Sequence, residues 1–132
     1  VRKGHLTADY RRMDPSPEKI SRTGKGQTET YTNFRQIRVS LRPDSEDDME
    51  NGILVVVPWF SYDRENIQLL EELSQKETKF ETLFAEYFSS FSKKELKEKD
   101  EKQIKEELLQ LTNAQLVLGK IRAVYFDKFI FL

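Results

Sequence analysis

Ile53-Leu54-Val55-Val56-Val57-Pro58-Trp59-Phe60 is the longest apolar run in the 132-residue chain, and the residues on either side of it decide the fold. The run is far short of the roughly 20 residues that a helix needs to cross a bilayer, so it reads as a strand. Upstream, Ile37, Val39 and Leu41 alternate with Gln36, Arg38, Ser40 and Arg42. That period of two gives a strand one buried and one wet face, and Pro43 marks its end. Asn51-Gly52 stands directly before the apolar run, and this dipeptide favours the positive φ angles of a tight turn. Residues 34–42 and 53–62 are therefore expected to form the two antiparallel strands of a long-looped hairpin.

Beyond Asp63 the apolar period becomes helical. Ile67, Leu70, Leu73, Phe80, Leu83, Phe84, Tyr87, Phe88 and Phe91 recur at steps of three and four, with Asp63 as the expected N-cap. A stripe of this kind reads as core, the other reading being a groove that faces a partner. Ser92 and Glu95 match a capping box, which starts a second helix. Its first turns carry Glu95/Lys99, Glu98/Lys102 and Glu101/Lys105 in the favoured order for a solvated face. The apolar stripe Leu96, Ile104, Leu108, Leu111 and Leu116 grows denser toward Gly119, which is placed to stop the helix.

Residues 120–132 read as a long final strand rich in β-branched and aromatic residues. Strict alternation puts Ile121, Ala123, Tyr125, Phe129 and Phe131 on one face and Val124, Phe126, Ile130 and Leu132 on the other. Two helices in so small a chain do not readily cover both faces, so self-association through part of this surface is expected. The fold class that follows is α+β: a small, antiparallel-containing sheet of about three or more strands packed on two long helices.

Composition narrows the function. There is no cysteine, hence no disulfide framework, thiolate nucleophile or cysteine-based metal site, and the lone His5 argues against a Ser-His-Asp triad or a multi-histidine centre. Paired-carboxylate chemistry is disfavoured because most acidic residues fall in a loop or on a solvated helix. The expectation is no catalytic, cofactor-binding or metal-binding residue. Residues 44–50 hold Asp44, Glu46, Asp47, Asp48 and Glu50 but lack the ordered spacing and glycine of an EF-hand, so a solvated loop is favoured over a cation site. Seven basic and three acidic side chains give residues 1–26 a net charge of +4, which leaves −5 for the rest. With few large apolar side chains and with Pro15 and Pro17, residues 1–32 read as a linker or arm with a short helix around residues 6–13. Residues 33–132 form the domain. The folded body is acidic, so nucleic acid is not an expected partner.

The segment 108–130, Leu-Leu-Gln-Leu-Thr-Asn-Ala-Gln-Leu-Val-Leu-Gly-Lys-Ile-Arg-Ala-Val-Tyr-Phe-Asp-Lys-Phe-Ile, resembles the close of the flagellar basal-body-associated FliL family. That family ends in a helix with a late Asn, a Gly-Lys turn and a Val-Tyr-Phe-x-x-Phe strand, here carried by Asn113, Gly119-Lys120 and residues 124–129. Upstream, the two strands, the helix after Asp63 and the Phe91-Ser92-Lys93-Lys94-Glu95-Leu96 junction follow the family's order, so the resemblance covers about residues 34–132. It implies a stomatin/SPFH-like fold and a single-pass inner-membrane protein anchored upstream of Val1, with this chain on the periplasmic side. The chain's first residue, Val1 and not Met, is compatible with that expectation. It also implies a non-catalytic ring, a homo-oligomer that binds the stator protein MotB with MotA and holds the stator in its active state. The reading from another class is an SPFH-like membrane scaffold or adaptor unlinked to motility.

Under the resemblance, Arg11, Arg12, Lys19 and Arg22 of the arm meet acidic stator groups or anionic headgroups, or else serve a soluble tether. Trp59 is a core plug or an anchor between protomers; Phe60, Phe126 and Ile130 join it as candidate self-association contacts. Asn113 reads as a local hydrogen-bonding residue near its helix end.

Overall fold

A computed structural model describes residues 9–10, 14–23, 27–45 and 52–132. The chain is a mixed α+β protein in the order β1 (Asp9–Tyr10), α1 (Pro17–Thr23), β2 (Thr28–Tyr31), β3 (Ile37–Ser40), β4 (Ile53–Asp63), α2 (Ile67–Gln75), α3 (Glu77–Ser89), α4 (Lys93–Glu98), α5 (Glu101–Ala114) and β5 (Ala123–Phe131). The apolar run is the central strand. β5 pairs with one edge of β4 and β1 pairs beyond it. β2 and β3 divide the other edge, β2 along Phe60 to Asp63 and β3 along Ile53 to Val56, all antiparallel.

The expected hairpin of strands is present, although β3 is shorter than the predicted 34–42. Gly52 has no positive φ, and Asn51 lies outside the described residues, as do residues 46–50 of the acidic loop. β4 is buried or half-buried along its whole length because both its faces are covered, which is why it reads as continuous apolar sequence. Pro58 cannot donate to a ladder. It sits where the β4–β5 register shifts: Val57 pairs with Lys128 and Pro58 with Phe126, so Asp127 is left without a partner.

That extra residue overturns the strict alternation expected of the last strand. A bulge moves every later side chain to the opposite face. Val124, Phe126, Phe129 and Phe131 thus all enter one core, where the Phe126 and Phe129 rings lie 5.2 Å apart and both meet Phe88, at 6.1 and 5.6 Å.

Each expected long helix is broken once. The first consists of α2 and α3, parted at Lys76, and its N-cap is Asn66. Asp63 still belongs to β4, which leaves the cap to the next short polar residue. The buried row is Leu69, Leu73, Phe80, Phe84 and Phe88, whereas Ile67 and Leu70 of the predicted stripe are exposed. The capping box of Ser92 and Glu95 is formed and starts α4. Asp100 then caps a separate helix, α5, which ends at Ala114, five residues before Gly119. Leu96, Ile104, Leu108 and Leu116 are buried as expected, while Leu111 is exposed.

The described part of residues 1–32 lies on the sheet. β2 pairs with β4, and Tyr31 is buried with its ring 5.2 Å from Phe34 and its hydroxyl donating to Glu77. Residues 9–10, inside the expected helix at 6–13, are strand β1 instead. Counting apolar side chains underrates such segments, because a pre-existing strand edge offers backbone hydrogen bonds to any short extended stretch.

Deleting Asp127 is expected to turn Phe129 and Phe131 away from the helices and abolish the cooperative thermal transition seen by near-UV circular dichroism. Asp127→Asn, which keeps the extra residue at an exposed position, is expected to shift stability by no more than about 0.5 kcal/mol.

Candidate functional site

Two regions concentrate polar groups on buried or half-buried backbone. The first is the turn between α5 and β5, within the segment that carries the sequence resemblance. Glu72, on the buried side of α2, accepts hydrogen bonds from the backbone N–H of Val117 and of Leu118, each at 2.8 Å, and from Lys76 Nζ at 2.6 Å. Lys76 Nζ also donates to the Gln115 carbonyl at 2.7 Å. Burial alone would push the Glu72 carboxyl up; the Lys76 ammonium and the two N–H groups outweigh it and hold the carboxyl below its ordinary value.

Asn113 reaches across the same turn as expected of a local hydrogen-bonding residue. Its Oδ1 accepts from Ile121 N at 2.8 Å and its Nδ2 donates to Ile121 O at 3.2 Å. Lys120 Nζ donates to the Asn113 carbonyl at 2.8 Å near the end of α5, where a cation is favourable. Asn66 works in two directions, accepting from Leu69 N as the cap of α2 and donating to Leu118 O at 3.1 Å. A Cβ on Gly119 would overlap Asn66 Nδ2, so glycine is required here by close approach and not as a helix stop. The turn so held presents Val117 and Leu118, 80% and 48% exposed, and Ile67, the residue after Asn66, is 68% exposed.

The second region is the sheet face turned away from the helices. Trp59 is buried there, stacked on Tyr125 with centroids 4.4 Å apart, and lies outside the main aromatic core. The segment leading into α1 crosses this face. Asp14 anchors it by accepting from Phe126 N at 2.8 Å and pairing with Lys105, whose ammonium also sits 5.9 Å from the centre of the Tyr125 ring. Between this segment and the sheet lies a cleft of about 770 Å³, floored by Val57, Pro58 and Trp59 and walled by residues 14–18, by Glu29, Thr30 and Thr32, and by Asp127 of the bulge.

The residues singled out from sequence do not form one surface. Arg11 and Arg12 lie outside the described residues, and Arg22 belongs to α1. Phe60 and Phe126 are interior, because their β4 and β5 positions face the helices, so neither offers a surface contact. Trp59 is a buried plug of the second face, while Ile130 is half-buried and pairs across the ladder with Val55 and Tyr10. Asp44 of the acidic loop accepts from Lys94 N at 2.9 Å, a bond that holds its carboxyl below the ordinary range. Among the described residues no group of three or more His, Cys, Asp or Glu side chains is placed to hold a metal ion. Sequence reasoning missed Glu72, although a carboxylate between Leu69 and Leu73 with Lys76 four residues on was a visible signal.

Compared with protein-family models and with curated proteins, the chain matches none of them.

Glu72→Gln is expected to destabilise the protein by about 1–3 kcal/mol in denaturant titrations at neutral pH, since a buried carboxylate loses its charge-assisted bonds. The folded-state pKa of Glu72 is depressed, so its contribution is present above the ordinary carboxylate range and is lost as pH falls through the folded value. The gap between wild type and variant should therefore narrow on acidification. Gly119→Ala should cost about 0.5–2 kcal/mol by displacing the Asn66 cap, and adding Asn66→Ala should cost little more, a non-additivity that thermal melts of the three variants would read.

Proposed function

We propose that the chain is a non-catalytic structural domain of the bacterial flagellar motor, similar to the periplasmic domain of FliL and stomatin/SPFH-like in its finer fold. In this reading, copies assemble into a ring on the periplasmic side of the inner membrane, anchored by a segment preceding Val1. The ring binds MotB with MotA and favours the active stator by binding that conformation more tightly.

The observation that carries the reading is the closing segment itself. Asn113, Gly119 and Lys120, which bear the resemblance, each have a distinct task in joining α5 to β5, which supports reading the motif as a folding device. The order of two strands, two helical arms and a returning strand, within a mixed α+β fold, supports the same reading. The exposed Ile67, Val117 and Leu118 supply apolar surface for contact between copies.

Tethered or concentrated protein is expected to sediment as a higher oligomer, and motors imaged in the encoding cell should lose ring density and torque when the domain is deleted. Isolated monomers with no ring density would refute the assignment. A ring whose loss leaves motility unchanged would instead indicate a membrane scaffold outside the motor.

A further inference from the structure

The outer side of the helical layer holds a groove of about 340 Å³ lined by Thr78, Lys79, Thr82, Leu83 and Glu86 of α3 and by Gln115 at the end of α5. The buried row of α3, Phe80, Phe84 and Phe88, faces the core, so Thr78, Lys79, Thr82 and Glu86 fall on its exposed side and Leu83 is half-buried between the two. Leu111 precedes Gln115 by four residues, which puts it on the same side of α5, and it is exposed. Lys79 and Glu86 carry opposite charges and are seven residues apart, about two helical turns, so both project from one face of α3. Neither makes an ion pair among the described residues. Their midpoint falls between Thr82 and Leu83, in the middle of the α3 wall of the groove. The face is therefore its own electrostatic complement when turned end for end.

We infer that a second copy of this chain docks along the groove, α3 against α3, antiparallel about a two-fold axis between Thr82 and Leu83. Lys79 of each copy meets Glu86 of the other, and the Thr82 of each lies opposite the Leu83 of the other. Both ion pairs form at once, because a two-fold contact presents the same patch from both sides. A parallel alignment would set Lys79 against Lys79 and Glu86 against Glu86, so charge selects the antiparallel register. The apolar contribution comes from Leu83 and from Leu111 on the opposite wall. The inference does not rest on the motor assignment: a two-fold contact closes after two copies, whereas a ring needs a head-to-tail contact.

Sedimentation equilibrium of the full chain at low salt is expected to show a monomer–dimer equilibrium whose Kd rises as salt is added. Lys79→Glu and Glu86→Lys should each raise that Kd about tenfold, since either change turns two attractive pairs into two repulsive ones at exposed positions. The double variant restores both pairs at unchanged net charge and is expected to dimerise like the wild type, as is an equimolar mixture of the two single variants. The chain has no cysteine, so Thr82→Cys sets a lone thiol beside the axis and should yield a disulfide-linked dimer under mild oxidation. Arg38→Cys, on the exposed side of β3, should not. A chain that stays monomeric at every concentration, single variants that pair as tightly as the wild type, or a double variant no better than either single one would overturn the inference. Failure of Thr82→Cys to cross-link in a chain that does dimerise would also overturn it, by placing the contact elsewhere on the surface.

Discussion

The β4–β5 ladder, with its one-residue shift at Val57/Pro58, is the constraint on which the rest of the chain depends. Without the unpaired Asp127, β5 would divide its aromatic side chains between two faces. With it, Val124, Phe126, Phe129 and Phe131 present one continuous surface to α3 and its neighbours. Pro58 marks the same place on the opposite strand, where a missing N–H costs nothing because the regular ladder is already interrupted. The edge-to-face contact of Phe126 with Phe129 follows from that single irregularity, and Phe126 continues through an edge-to-face contact to Phe84, which meets Phe60 at a tilt.

The helical layer covers one face of the sheet through the shared aromatic core. Each arm is interrupted once, at Lys76 between α2 and α3 and at Lys99–Asp100 between α4 and α5. The breaks are also where long-range polar contacts gather. Lys76 reaches the α5–β5 turn, and Lys99 pairs with Glu107, which in turn accepts from the Tyr87 hydroxyl at 2.6 Å. Burial and that acceptor both drive the Tyr87 hydroxyl to a higher pKa, so it remains a neutral donor throughout the physiological range. Charged residues at the joints thus hold the layer in register while apolar residues supply its adhesion.

Legibility from sequence varied with the range of the interaction concerned. The hairpin of β3 and β4, the capping box at Ser92 and Glu95, and the local role of Asn113 were readable because each rests on neighbours within a few residues. The candidate surface was less readable. Phe126 looked like a contact residue because its face was assigned without the bulge, Phe60 because it adjoins Trp59 in an aromatic stretch, and Glu72 was passed over because its partners Val117 and Leu118 lie 45 and 46 residues away. The part of residues 1–32 that lies on the sheet owes its place mainly to edges of β4 and β5 that exist only in the folded chain, not to its own hydrophobicity.

Periodicity, turn chemistry and caps, all properties of the sequence by itself, determined that strands flank two helical arms and that no run among the described residues makes a helix long and apolar enough to cross a membrane. Those properties are local, so a single chain suffices to display them. Which face of β5 meets the core, where each helical arm breaks, and what lies over Trp59 were decided only by the tertiary structure. Each depends on a register between segments far apart in the chain, and a shift of one residue in that register exchanges inside for outside.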